Sequence, residues 1–281
     1  MTDTTTATPL PAPLRPGAVV PSALGRNTFG DRAVPSRVEL VLAGHPGPVA
    51  NVFRCDEVAA AAIRQVCPGL PAAVRDAAVA EEAAVRSAVR RGRQVLHIGY
   101  GLGLPHREPH DWWERTSGRH QRAVAVTSCD GAYAPARAFC GDSTALLFEP
   151  EERLHLLLEH PHMPRLIDLA RPVDVVLAGT HRTSWRAVEA LLDRLLGGLA
   201  PGSTLALVGV TVTDGTARRH MRDRWFYYTG QRPAVLHHSH PSGLLSRLRR
   251  FEQRALLVPP HQDRSEAGAV GTVYRIGGRV R

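Results

Sequence analysis

The chain has 281 residues, of which 43% are hydrophobic and 22% are charged, and this composition excludes a wholly disordered protein. No stretch approaches the run of about 20 apolar residues that a membrane-spanning helix needs. The N-terminus also lacks the apolar segment of a signal peptide, so we expect a cytoplasmic protein without a membrane partner. The four cysteines form no C-x-x-C pair, which argues against a zinc ribbon or a disulfide scaffold; they are Cys55, Cys67, Cys129 and Cys140.

The positive charge does not by itself indicate a nucleic-acid partner. The formal net charge is +9, and all 35 basic residues are arginine because the sequence contains no lysine. A nucleic-acid interface usually gathers cations and aromatic side chains on one element. Here the arginine clusters lie far apart, at 90–93, 218–219 and 247–250, and aromatic residues make up only 5% of the chain. We therefore expect solvated arginines at helix ends rather than a nucleic-acid interface.

The N-terminal third is predicted to be a tail followed by a helical cap. Residues 1–34 begin with a stretch rich in Thr, Pro and Ala, which predicts a disordered or extended tail. Three helices are predicted within residues 35–92, at 36–42 with Ser36 as its cap, at 56–66, and at 71–91. Pro71 suits the first turn of the third helix and Gly92 suits its end. Residues 35–281 are then predicted to form one domain.

From residue 94 onward, apolar strands alternate with helices. The predicted strands are 94–98, 123–127, 144–148, 173–178, 204–212, 255–258 and 271–276. The predicted helices between them are 111–114, 132–139, 151–159, 163–169, 185–196, 216–226 and 242–251. This alternation predicts an α/β protein with a mainly parallel sheet that carries helices on both faces.

A glycine-rich turn follows the first of these strands. Gly99, Gly101 and Gly103 alternate with Tyr100 and Leu102 directly after 94–98. Glycines at the carboxyl end of a strand let the backbone approach a ligand closely. The spacing alone is a weak signal, and an ordinary glycine turn is an equal alternative.

A wider series of motifs runs along the chain. The motifs are Pro35-Ser36-Arg37-Val38, Leu42-Ala43-Gly44, 97–102, Glu149-Pro150-Glu151, His160-Pro161, 166–173, 199–203 and 271–277. Their order and spacing resemble an actinobacterial family of S-adenosylmethionine-dependent methyltransferases whose substrates are poorly characterised. The resemblance extends from about residue 35 to 280, and its most specific part is the entry to the fourth strand with the His-Pro helix before it.

The resemblance implies a class I methyltransferase-like (Rossmann-like) fold, with a mostly parallel seven-stranded sheet whose last strand is antiparallel. It also implies S-adenosylmethionine as the cofactor. The residues expected to bind that cofactor are Gly99, Tyr100, Gly101 and Gly103 in the glycine turn, and Thr127, Cys129 and Asp130 beside the ribose.

The chain departs from the family pattern at the usual acidic contacts. His97 replaces the acid on the first strand, Thr127 replaces the ribose-binding carboxylate, and Leu146 replaces the acid of the third strand. An Asn-Arg pair of the family aligns with Glu81-Glu82. A lost charge-assisted hydrogen bond costs roughly 1.5–3 kcal/mol, so these replacements weaken the cofactor prediction. Asp130 is an alternative ribose ligand.

Two histidines are candidate catalytic residues. His181 follows the fourth strand, where such sheets present groups to the substrate, and histidine is the usual side chain for proton transfer near neutral pH. His97 lies just before the glycine turn. A surface histidine at 181 and a core histidine at 97 are the alternatives.

Other clusters carry weaker predictions. The loop 237–240 contains three histidines, but neighbouring histidines rarely converge on one ion, so no metal is predicted. The aromatic clusters 112–113 and 225–228 suit an apolar substrate pocket, core packing or a homodimer contact.

Three hypotheses on function follow. The first is a methyltransferase acting on a small molecule, of the kind found in specialised metabolism. The second is an enzyme on the same scaffold that does not use S-adenosylmethionine, such as a cyclase, isomerase or lyase. The third is a catalytically silent binding protein, because fold alone does not decide function.

Overall fold

The computed structural model describes residues 19–20, 34–44, 54–99, 122–129, 144–235, 252–256 and 267–276. Among these residues, no helix combines the length and the apolar character that a membrane crossing requires. Three predicted helices, 111–114, 132–139 and 242–251, lie outside the described ranges, as does most of the predicted tail.

One mixed sheet forms the centre of the described structure. Its eight strands are β1 Val19–Val20, β2 Gln94–Ile98, β3 Ala123–Thr127, β4 Thr144–Phe148, β5 Val173–Leu177, β6 Thr204–Val212, β7 Glu252–Leu256 and β8 Ala267–Arg275. Their spatial order is β1-β4-β3-β2-β5-β6-β8-β7, and β8 is antiparallel to both of its neighbours. Seven strands therefore form the expected sheet with an antiparallel last strand, and the two-residue β1 extends its edge.

The strands are buried because helices cover both faces. Every residue of β3 and β5 is buried, which explains their nearly continuous apolar sequences. On one face lie α1 Val34–Leu42, α2 Arg54–Val66, α3 Leu70–Arg90 and α6 Gly215–Thr229. On the other lie the 3₁₀ helix Glu151–Glu159, α4 Met163–Leu166 and α5 Trp185–Gly198.

The three predicted N-terminal helices are present, with small shifts at their ends. The prediction that Ser36 caps the first helix is wrong, because α1 already begins at Val34. Pro35 fits there since the N–H groups of a helix's first turn have no partner within the helix. Pro71 lies in the first turn of α3 as predicted, and Gly92 follows the helix with a φ of +66°.

Two side chains in or beside the motifs of the family resemblance connect strands to segments outside the sheet. The amide of Gln94 donates to the Asp168 carbonyl at 2.8 Å and accepts from the Asp168 N–H at 2.7 Å. The Ser203 hydroxyl donates to the Ala200 carbonyl and accepts from the Val173 N–H. These contacts fix where β5 enters the sheet, next to β2.

A buried carboxylate connects a helix and two strands at the amino-terminal edge of the sheet. Asp174 on β5 is 1% exposed and accepts hydrogen bonds from Arg91 Nε at 2.9 Å and from the Thr204 hydroxyl at 2.6 Å. Arg93 lies 3.8 Å from one of its oxygens. The end of α3 is thereby fixed to β5 and β6, which leaves the opposite, carboxyl edge of the sheet for the candidate site.

Candidate functional site

Gly99 begins the candidate site at the carboxyl edge of the sheet. It follows β2 directly with a φ of +87°, and its N–H donates to the Val126 carbonyl of β3 at 3.0 Å. A Cβ at this position would overlap the Ala178 carbonyl, which lies after β5. Only glycine therefore fits at the point where the chain leaves β2 between its two neighbouring strands.

A 3₁₀ turn, Thr180–Arg182, stands beside Gly99 after the end of β5. Gly179 enters the turn in the left-handed region, with a φ of +60°, and a Cβ there would overlap the Arg182 guanidinium. That guanidinium donates to the Gly99 carbonyl at 2.6 Å. The predicted catalytic region at His181 and the predicted cofactor turn at Gly99 are thus joined by one hydrogen bond.

Glu39 of α1 reaches the same turn. One carboxylate oxygen lies 3.1 Å from Nε2 of His181, and the other lies 3.0 Å from Nε of Arg182. Burial by itself would raise the pKa of Glu39, but the Arg182 guanidinium and the His181 imidazole outweigh it and lower that pKa to about 2. Glu39 is therefore ionised throughout the neutral pH range.

Apart from the two nitrogens that face Glu39, three buried polar atoms around this turn have no hydrogen-bond partner among the described residues. They are the Thr180 hydroxyl, Nδ1 of His181 and Nε1 of Trp225. Thr180 and Trp225 are each 1% exposed and His181 is 4% exposed. The rings of His181 and Trp225 meet edge to face, with centroids 6.1 Å apart. Buried polar groups normally have partners, so these atoms point to a polar ligand.

Thr127 ends β3 at the same edge, but its hydroxyl is engaged within its own loop. It accepts from the Cys129 N–H at 3.1 Å, and both residues are buried. A short turn of this kind satisfies a backbone N–H directly after the end of the strand. The roles of Thr127 and Cys129 beside a ribose stay predictions.

Glu149 places a buried carboxylate after β4. Its N–H donates to the Thr127 carbonyl at 3.0 Å, and its side chain lies 3.1 Å from Arg153 and 3.9 Å from His160. Burial raises the pKa of Glu149, against the lowering effect of Arg153. The pKa of His160 is lowered, first by burial and then by the positive charges of His162 and Arg153.

His97 on β2 and Glu81 on α3 form one pair. Nε2 of His97 lies 2.7 Å from a carboxylate oxygen of Glu81 on α3, and His97 is 1% exposed. The histidine side chain is therefore on the α3 face of the sheet, in contact with an acid from that helix. A direct part for His97 in catalysis stays a prediction.

The remaining predicted site residues are not among the described ranges. Tyr100, Gly101, Gly103 and Asp130 all fall outside them, as do Leu102, the histidine loop 237–240 and the aromatic pair 112–113. The structure therefore brings together Gly99, Thr127, Cys129 and His181 along one sheet edge, and the predictions for the other residues stay open.

Glu39 is a site residue that the sequence patterns did not indicate. It lies far from His181 in the chain, so no local spacing connects the two. One signal was available, because Glu39 is the only charged residue among the apolar residues of 38–42. A carboxylate held inside an apolar helical stretch usually has a partner.

The strand order and the helix layers define a class I methyltransferase-like α/β fold. A proposed methyltransferase from Thermobifida fusca YX has a similar structure, with a TM-score of 0.69, 20% sequence identity, and coverage of 86% of this chain and 94% of that one. A DUF574 family protein from Streptomyces avermitilis MA-4680 gives a TM-score of 0.68 at 19% identity, with coverage of 86% and 96%. No protein-family model matches the chain, and no curated protein matches it by sequence. The likeness concerns the fold.

The carboxyl edge of the sheet combines a glycine with left-handed backbone and a cluster of buried polar atoms. Gly99 directly follows β2, and its N–H bonds to Val126 in β3. The unpartnered atoms of Thr180, His181 and Trp225 offer hydrogen bonds to a polar ligand at this edge. In open α/β sheets, ligands bind outside the carboxyl ends of the strands, where this cluster lies.

Proposed function

We propose that this chain is an S-adenosylmethionine-dependent methyltransferase that acts on a small molecule, of the kind found in specialised metabolism. The observation that carries the proposal is the hydrogen bond from Arg182 to the Gly99 carbonyl. It joins the glycine turn expected to hold the cofactor to a turn whose buried histidine lacks a partner on Nδ1 among the described residues. The fold and the family resemblance of the motifs support the same reading.

In this proposal the cofactor supplies an electrophilic methyl group on a positively charged sulfur. Gly99, together with Tyr100, Gly101 and Gly103, would hold the cofactor by backbone contacts, and Thr127, Cys129 and Asp130 would lie near its ribose. His181 would accept the proton of the substrate. Orientation of the two reactants contributes strongly to the acceleration of such a displacement, so the reaction benefits from a rigid site.

Arg182 and Glu39 contribute to that rigidity. Arg182 is anchored at two points of its guanidinium, by the Gly99 carbonyl and by the Glu39 carboxylate. Glu39 in turn is carried on α1, which is fixed to α2 by the 2.8 Å ion pair between Arg37 and the buried Asp56. The N-terminal helices would thus hold the catalytic turn in place.

One observation favours a second candidate, an enzyme on this scaffold that does not use S-adenosylmethionine. The Thr127 hydroxyl is already bonded to the Cys129 N–H, at the position where the family pattern has a ribose-binding carboxylate. Such an enzyme would use the same polar cluster at His181 for proton transfer in a cyclisation, isomerisation or elimination.

Calorimetric titration with S-adenosylmethionine and S-adenosylhomocysteine separates the two candidates. We expect micromolar binding, and we expect Gly101→Arg to abolish it by filling the cofactor turn. Gly197→Arg is the matched control, because Gly197 lies near the end of α5 and a Cβ there would meet no atom within 4 Å. An absence of heat at millimolar ligand would remove the methyltransferase proposal.

A further inference from the structure

The carboxylate of Glu39 decides where the ring proton of His181 lies. An ionised carboxylate can only accept hydrogen bonds, and Glu39 stays ionised far below neutral pH. Its oxygen is 3.1 Å from Nε2 of His181. A lone pair on Nε2 would face this negative charge, so the proton of the neutral ring belongs on Nε2. Nδ1 then carries the lone pair.

The neighbouring ring of Trp225 carries a buried hydrogen-bond donor. Nδ1 of His181 is a buried acceptor and the indole N–H of Trp225 is a buried donor, and neither has a partner among the described residues. The two rings meet edge to face, and their centroids are 6.1 Å apart. A ligand group that satisfies both must donate one hydrogen bond and accept another.

A hydroxyl group meets this requirement. It has one O–H donor and two acceptor lone pairs, whereas an ammonium group only donates and a carboxylate only accepts. We propose that Glu39 is a positioning residue that presents Nδ1 of His181 as an acceptor, and that Nδ1 and the Trp225 indole N–H together bind the hydroxyl group that receives the methyl. This inference rests on the proposed function and names its substrate class, an alcohol or phenol.

Methyl transfer to the hydroxyl group is coupled to proton transfer to His181. The hydroxyl oxygen forms a bond to the methyl carbon, and the bond between that carbon and sulfur breaks with its electron pair going to sulfur. The hydroxyl proton moves to Nδ1 of His181, and the products are a methyl ether and a neutral thioether. The protonated imidazole then lies against the Glu39 carboxylate, which stabilises its positive charge.

The tautomer of His181 is tested by nitrogen-15 NMR on the full chain labelled at histidine, with the His181→Gln variant used to assign the signals. We expect a protonated Nε2 and an unprotonated Nδ1 at pH 8. In Glu39→Gln the carboxylate is lost, and we expect a substantial fraction of the ring to carry its proton on Nδ1. A wild-type ring with its proton on Nδ1 would overturn the inference.

Asp56→Asn provides the matched control for that variant. It weakens the other ion pair of α1, between Arg37 and Asp56, without touching the His181 turn. We expect it to lower the free energy of unfolding while the His181 signals stay at their wild-type positions. Equal changes of tautomer in both variants would mean that α1 acts only through stability, which contradicts a positioning role for Glu39.

Binding of the hydroxyl group is tested with phenol as the probe and toluene as its counterpart of the same shape. We expect phenol to shift both the Nδ1 signal of His181 and the indole N–H signal of Trp225, and toluene to shift neither. Trp225→Phe should weaken phenol binding about tenfold, the value of one hydrogen bond. Equal responses to the two probes, or none to phenol, would overturn the substrate class.

These measurements are made without S-adenosylmethionine. A failure of the cofactor titration therefore removes the proposed function and leaves the His181 tautomer as observed. A failure of the NMR measurements with intact cofactor binding removes only the role of Glu39 and the hydroxyl substrate.

Discussion

At the scale of single residues, Glu39 makes the free energy of unfolding decrease at acid pH. Its pKa falls from 4.5 to about 2 in the folded protein, so its contribution to stability is complete above pH 4.5 and is lost as the pH falls towards 2. The shift corresponds to about 3 kcal/mol. We expect Glu39→Gln to flatten this part of the stability profile.

Urea unfolding at a series of pH values measures the effect. The wild-type free energy of unfolding should fall more steeply than that of Glu39→Gln as the pH drops from 4.5 to 2. Parallel profiles for the two proteins would show that Arg182 and His181 do not lower the pKa of Glu39.

Gly99 and Gly92 provide a second comparison at this scale. Both have positive φ angles, but a Cβ at Gly92 meets no atom within 4 Å, whereas one at Gly99 overlaps the Ala178 carbonyl. We expect Gly92→Ala to cost about 1 kcal/mol for the left-handed backbone alone. Gly99→Ala should cost at least about 3 kcal/mol, because backbone crowding adds to the strain. Equal losses in chemical denaturation would contradict the close approach of the chain after β2 to the chain after β5.

At the scale of elements, Asp174 holds α3, β5 and β6 together at the edge opposite the site. Asp174→Ala would leave the Thr204 hydroxyl and the Arg91 guanidinium without this partner, and we expect a loss of roughly 3 kcal/mol in the free energy of unfolding. Asp174→Asn keeps the shape and part of the bonding, so it should lose less. Cofactor affinity at the far edge should change little in Asp174→Asn, and a large change there would mean that this contact shapes the site.

Most helices and strands could be predicted from the sequence, because the residue patterns that mark them are local. The strands β2, β3, β4 and β6 have the bounds that their apolar runs predict. The segment Glu151–Glu159 is a 3₁₀ helix, which hydrophobic spacing does not separate from an α-helix. Both terminal strands begin before their predicted starts, β7 by three residues and β8 by four, because strand pairing extends them beyond their apolar runs.

The candidate site was less predictable, because its contacts are not local. The sequence indicated Gly99 and His181 as separate features, but not that the Arg182 guanidinium links them. It also indicated His97 and Glu81 as two independent departures, although they form one pair. Pairing between a helix and a strand end depends on the folded topology, which spacing along the chain does not encode.

At the scale of the whole molecule, the fold rests on its apolar layers and not on the residues of the candidate site. Its two apolar layers are built from strand and helix residues such as Val124, Leu177 and Val85, none of which is a site residue. The architecture can therefore persist while the residues at the carboxyl edge change, and the activity has to be tested at that edge.

The proposed activity requires that the carboxyl edge of β2 and β3 holds an adenosyl group beside His181. A crystal structure of the chain grown with S-adenosylhomocysteine would show this directly. We predict the ligand over Gly99 and the end of β3, with its sulfur directed towards the turn Thr180–Arg182. An edge filled by the protein's own side chains, with no ligand bound there, would refute the proposal.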